Sequence, residues 1–102
     1  MKEWNGDQLS AFIENKTSGL VYFYTPLCGT CQVASRMLQI IEEIDNVELG
    51  KMNLNFYPDL AKTYSVESVP CLLFIHDGHM AEILYAFQSV PYLLEKIKYH
   101  FN

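Results

Sequence analysis

Cys28-Gly29-Thr30-Cys31 places two thiols three residues apart. This C-x-x-C pair falls where a strand-like run meets a helix-like one. Upstream, Leu20-Val21-Tyr22-Phe23-Tyr24 is made of the β-branched and aromatic types that favour strands. Downstream, Val33, Met37, Ile40, Ile41 and Ile44 recur at helical spacing. A helix that opens at the cysteines directs unpaired N–H groups and the positive end of its macrodipole toward them. A thiolate is stabilised there, and the thiolate is the form that attacks disulfides. Spacing of three on a helix lets the second thiol reach back to the first. The chemistry these residues could do is dithiol–disulfide exchange.

Other readings of the cysteines stay open. Cys71 is left over if Cys28 and Cys31 pair, so the chain does not look like a disulfide-stapled secreted framework. Cys71 is read first as a small buried hydrophobe in a strand. Its sharper reading is a third thiol that traps Cys28 or joins Cys28 and Cys31 in holding a metal or an iron–sulfur cluster. A zinc site would need two more well-placed ligands, and His76, His79 and His100 are scattered, so no metal site is assigned.

The elements that position the pair follow from periodicity and punctuation. Leu9, Phe12 and Ile13 form one face of a short first helix, with Asp7 as its N-cap. A strand over 20–25 leads through Pro26 into the cysteines, and the second helix runs from about Gly29 to Ile44. Asp45-Asn46 reads as a turn, 47–53 as a second strand, and Pro58 as the opening of a short helix to Tyr64. Cys71 to Ile75 is a near-continuous apolar strand, and Asp77-Gly78 is a hairpin turn into a return strand over 80–87. Ser89 caps a last helix to about Tyr99. The expected fold is one α/β domain over 1–102. Its central mixed sheet has four strands, a parallel βαβ unit plus an antiparallel C-terminal hairpin, with helices on both faces.

Composition narrows the classes. The chain has 102 residues, half of them hydrophobic, which suits one packed core. Seven basic against twelve acidic residues give a net charge of −5, which argues against a nucleic-acid partner. No apolar run approaches membrane-spanning length, and the segment from Met1 to Asp7 lacks the apolar stretch of a signal peptide. A monomer in a reducing cytoplasm is expected. No nucleotide-binding glycine-rich loop is present, so no bound organic cofactor is expected.

Taken together, order and spacing resemble the thioredoxin family over nearly the whole chain. The marks are Cys-Gly-Thr-Cys at 28–31, Lys51 with Asn53 on the next strand, Val69-Pro70 before the following one, and Asp77-Gly78 in the hairpin. Thr25-Pro26-Leu27-Cys28-Gly29-Thr30-Cys31 is similar to the small bacterial thioredoxin-like proteins. The resemblance implies a protein-disulfide reductase in which Cys28 is the exposed nucleophile and Cys31 the shielded resolving thiol. It implies a cis Pro70 facing them, with Gly29, Thr30, Val69 and Pro70 forming the substrate groove. The implied partners are protein disulfides and an external thiol or flavoprotein reductase. A partner-binding module with little turnover is the other reading the same resemblance allows.

Departures from the family pattern carry their own expectations. Leu27 stands where Trp is usual, Thr30 where Pro is usual, and Ala86 where Gly is usual. Tyr22 occupies the place of a buried acid thought to accept the proton of the resolving thiol. A phenol, with an ordinary pKa of about 10, is a poor base at neutral pH. Either Lys51 with water replaces that acid, or the second step is slowed. Lys51 is otherwise a strand-end lysine with its head in water.

Overall fold

Strands that are apolar on both sides need cover on both sides. The chain supplies helices in alternation with strands. In the computed structural model, which describes residues 1–102, the order is β1 (Lys2–Glu3), α1 (Gly6–Glu14), β2 (Gly19–Tyr24), α2 (Gly29–Ile44), β3 (Leu49–Asn53), a 3₁₀ turn (Leu54–Phe56), α3 (Pro58–Thr63), β4 (Cys71–His76), β5 (His79–Leu84) and α4 (Val90–Phe101). The sheet order is β1-β3-β2-β4-β5. β3 pairs in parallel with β1 and β2, whereas β4 pairs antiparallel with β2 and β5.

Five strands are present, not the expected four. The extra strand is β1, whose two residues are both exposed and show no apolar alternation. It pairs at the sheet edge through register Lys2–Gly50 and Glu3–Lys51. Trp4 then donates its N–H to the Lys51 carbonyl at 2.8 Å and lays its ring on Gly50. A Cβ at Gly50 would collide with that ring, so the close approach needs glycine.

Period-two alternation sorts the core into two layers. Leu20 and Tyr22 of β2, with Leu72 and Phe74 of β4, meet Ala34, Leu38 and Ile41 of α2 and Leu93 and Ile97 of α4. Val21, Phe23, Cys71, Leu73 and Ile75 face the other way, onto Trp4, Leu9 and Phe12. Leu38, Ile41, Leu93 and Ile97 are almost wholly buried, which stabilises by about 1.5–3 kcal/mol each.

Two local expectations are corrected. The first helix is capped by Asn5, not Asp7: Asn5 Oδ1 accepts the Gln8 N–H at 2.9 Å and Gln8 Oε1 accepts the Asn5 N–H at 2.8 Å. The face of α2 that packs is Cys31, Ala34, Leu38 and Ile41, whereas Val33, Ile40 and Ile44 are exposed. The hairpin holds, with Asp77 and Gly78 both at positive φ, as a type I′ turn requires. Ser89 caps α4 by accepting the Tyr92 N–H at 3.2 Å. Lys96 of α4 donates to Glu82 Oε2 at 2.6 Å, and His100 Nε2 lies 2.7 Å from Glu82 Oε1. Burial alone would raise the pKa of Glu82, but these two partners outweigh it and hold the carboxyl below its ordinary value.

Candidate active site

β2 is the central strand, and the pair emerges from its carboxyl end. Cys28 is the N-cap of α2, with extended backbone, and its Sγ accepts the Cys31 N–H at 3.1 Å. The sulfur thus takes the place of the oxygen that usually caps a helix and sits at the positive end of the helix dipole. Cys28 and Cys31 are joined by a disulfide. Their burial is unequal: Cys28 is part-exposed, whereas Cys31 is buried. Gly29 and Thr30 form the exposed first turn, and Thr30 Oγ1 lies 3.4 Å from Cys28 Sγ. Leu27, just before the pair, projects wholly into solvent.

The Val69–Pro70 peptide is cis. Pro70 lines a cavity of about 370 Å³ whose opposite wall is Thr30, Val33 and Met37 of α2. Tyr85 and Phe87, from the segment after β5, also line it. Val69 precedes the ladder of β4, which begins at Cys71, so its backbone lies outside the sheet pairing.

Tyr22 is wholly buried beneath the pair. Its hydroxyl donates to the Cys31 carbonyl at 2.9 Å and lies 3.0 Å from Ser35 Oγ. Burial raises the phenol pKa above its ordinary 10.0, against the opposing effect of the Ser35 hydrogen bond. Ser35 and the cavity residues Tyr85 and Phe87 were not singled out in the sequence. Ser35 lies one helical turn beyond Cys31, the only sequence signal that could have found it. Lys51 stands beside Tyr22 in the β2–β3 register. Its ammonium lies 3.9 Å from Glu3 Oε1 and 5.4 Å over the Tyr24 ring.

Cys71 does not join the pair. It follows Pro70 in sequence, but its side chain belongs to the lower layer, on the sheet face away from α2. No group of three or more His, Cys, Asp or Glu side chains is placed to hold a metal ion. Burial pushes the Cys71 thiol up to about 12 from its ordinary 9.0. Between those values the folded chain keeps this proton and the unfolded chain releases it, so stability falls as pH rises above about 9. Cys71→Ala is expected to flatten part of that loss in urea titrations across this range. An unchanged slope would mean that the buried tyrosines alone carry it.

A family model described as Thioredoxin matches residues 1–98. The chain belongs to the thioredoxin family. The thioredoxin-like protein YusE of Bacillus subtilis is 51% identical over 80 residues, covering 78% of this chain and 76% of that protein. A thioredoxin of Chlamydia caviae is 29% identical over 82 residues, covering 79% and 80% of the two chains. Among solved structures, a mutant thioredoxin from Halobacterium salinarum superposes with a TM-score of 0.84 at 23% identity, covering 99% of this chain and 88% of that one. Family membership and the Cys28–Cys31 pair at bonding distance together support thiol–disulfide oxidoreductase chemistry. No helix of this thioredoxin-family chain is long and apolar enough to cross a membrane.

Proposed function

We propose that the protein reduces protein disulfides through a Cys28/Cys31 dithiol–disulfide cycle. The observation that carries this reading is the unequal burial of two bonded sulfurs at one helix N-terminus. In the reduced protein, Cys28 thiolate attacks one sulfur of a substrate disulfide. The other substrate sulfur leaves as a thiolate and takes up a proton. Cys31 then loses its proton and attacks Cys28 Sγ, which breaks the mixed disulfide and releases the second substrate thiol. Two electrons pass to the substrate, and the chain is left as the Cys28–Cys31 disulfide. An external thiol or flavoprotein reductase returns the electrons, and the cycle uses no bound cofactor. Attack by Cys31 is intramolecular and benefits from an effective concentration no free thiol reaches.

Gly29, Thr30, Val69 and Pro70 receive the substrate in this reading, and a monomer in the cytoplasm suffices for it. The cavity beside Pro70 is lined by neutral side chains, which favours an apolar residue flanking the substrate cysteine. The test is dithiol-driven reduction of a protein disulfide by the purified chain. Turnover that depends on Cys28 supports the reading. Capture of partners without turnover would make the chain a binding module instead.

Thr30 sets the poise of the cycle. Its hydroxyl, 3.4 Å from Cys28 Sγ, stabilises the thiolate and hence the reduced form. Removing it in Thr30→Val is expected to lower the reduction potential by about 20 mV, the equivalent of about 1 kcal/mol for two electrons. Thr30→Pro should move it in the same direction. Equilibration against glutathione measures both, and an unchanged or raised potential would exclude this role.

A further inference from the structure

We propose that Tyr85 is a positioning residue that holds the Val69–Pro70 loop in the shape protein substrates require. The inference rests on the oxidoreductase reading above and names a part of the site that reading leaves unassigned.

The loop that carries Val69–Pro70 leaves α3 after Thr63 and enters β4 at Cys71. At its start, Ser65 and Val66 donate their N–H groups back to Lys62 and Ala61. Beyond Val66 the loop must cross to the disulfide side of the sheet without a ladder of its own. There the Glu67 N–H donates to the Tyr85 hydroxyl at 3.1 Å, and that hydroxyl donates in turn to the Ser65 carbonyl at 3.4 Å. One phenol thus closes the loop on itself from the far side.

Ser65 needs this support. Its φ of 56° is in the left-handed region that non-glycine residues adopt only at a cost. The Tyr85 hydroxyl bonds the carbonyl of that same residue and so offsets the cost. The Tyr85 ring, meanwhile, packs with Val66 and Val69 on the sheet face away from α2, and residue 85 also borders the cavity next to Pro70 and Phe87. A single side chain therefore packs beneath the Val69–Pro70 loop with its ring and fixes the start of that loop with its hydroxyl. A substrate segment entering beside the disulfide meets a preformed surface, and less ordering is left to the binding step.

Tyr85→Phe keeps the ring and removes both hydrogen bonds. Two measurements on the variant test the proposal, after its melting transition has shown that it folds. Native-state hydrogen exchange should show the Glu67 amide exchanging about tenfold faster than in wild type, since the hydroxyl is its partner. Steady-state reduction of a protein disulfide, driven by a dithiol, should show KM raised about fivefold, more than any change in kcat. An unchanged Glu67 exchange rate, an unchanged KM, or a loss confined to kcat overturns the proposal. Absence of turnover in the wild type would instead defeat the oxidoreductase reading, and is seen before the variant is made.

Discussion

Cys28→Ser is expected to reduce protein-disulfide turnover to background, and Cys31→Ser is expected to stop the reaction half-way with the partner bonded to Cys28. The asymmetry follows from burial. Cys28 caps α2 at the surface, where its sulfur accepts an N–H and can meet a substrate, whereas Cys31 is 3% exposed. Without Cys28 no sulfur is placed to attack. Without Cys31 the first exchange proceeds, but the resolving thiol is gone, and release must wait for an external thiol lacking the advantage of proximity. Mass spectrometry after mixing each reduced variant with a disulfide-bonded protein reads out the adducts. Partners attached at Cys31, or rapid release from Cys31→Ser without added thiol, would show that the roles are assigned wrongly.

The second expected result concerns the base for the resolving step. Tyr22 cannot supply one near neutral pH: its phenol has a raised pKa, and its proton is given to the Cys31 carbonyl. Cys31 is buried, which disfavours its thiolate. Release from the mixed disulfide should therefore be slow at pH 7 and rise with pH. Tyr22→Asp should speed release near neutral pH and destabilise the fold by about 3–5 kcal/mol, since a carboxyl replaces a packed ring. Tyr22→Phe, which keeps the ring contacts to Phe87 and Tyr24, separates the hydroxyl's part at about 1 kcal/mol. Stopped-flow decay of a preformed Cys28 mixed disulfide across pH compares the three proteins. If a folded Tyr22→Asp releases no faster than wild type at pH 7, water or Lys51 already serves as the base and Tyr22 is a packing residue.

How far the sequence could be read depended on whether a feature is local. The C-x-x-C junction, the βαβ unit and the Asp77-Gly78 hairpin are written in neighbouring residues, and each is found where periodicity and turn chemistry put it. The packing face of α2 was not legible. The helix carries two apolar stripes about 100° apart: Ala34, Leu38 and Ile41 on one, and Val33, Met37, Ile40 and Ile44 on the other. The second has the larger side chains and so dominates any periodicity, yet the sheet takes the first. A small residue such as Ala34 lets the helix approach closely, a fact about the surface it meets. β1 escaped for the opposite reason, since an exposed two-residue edge strand has no pattern. In the site, the cysteines and Pro70 were readable from motif and order. The Tyr22 bonds to Cys31 and Ser35 join residues from two elements, and the Tyr85 clamp joins a loop to the end of another strand. Such contacts exist only after the chain has folded.

The placement of Cys71 fixes the redox stoichiometry of the chain. A sulfur held protonated behind the sheet neither attacks a mixed disulfide nor offers one an alternative exit. In the proposed cycle each molecule therefore carries two reducing equivalents, with Cys31 as the one internal route for discharging an adduct. The same seclusion keeps the third sulfur off the oxidation ladder that leads from sulfenic to sulfonic acid. In the proposed cycle oxidant encounters fall on the Cys28–Cys31 pair, which an external reductant restores, and the buried third sulfur is spared.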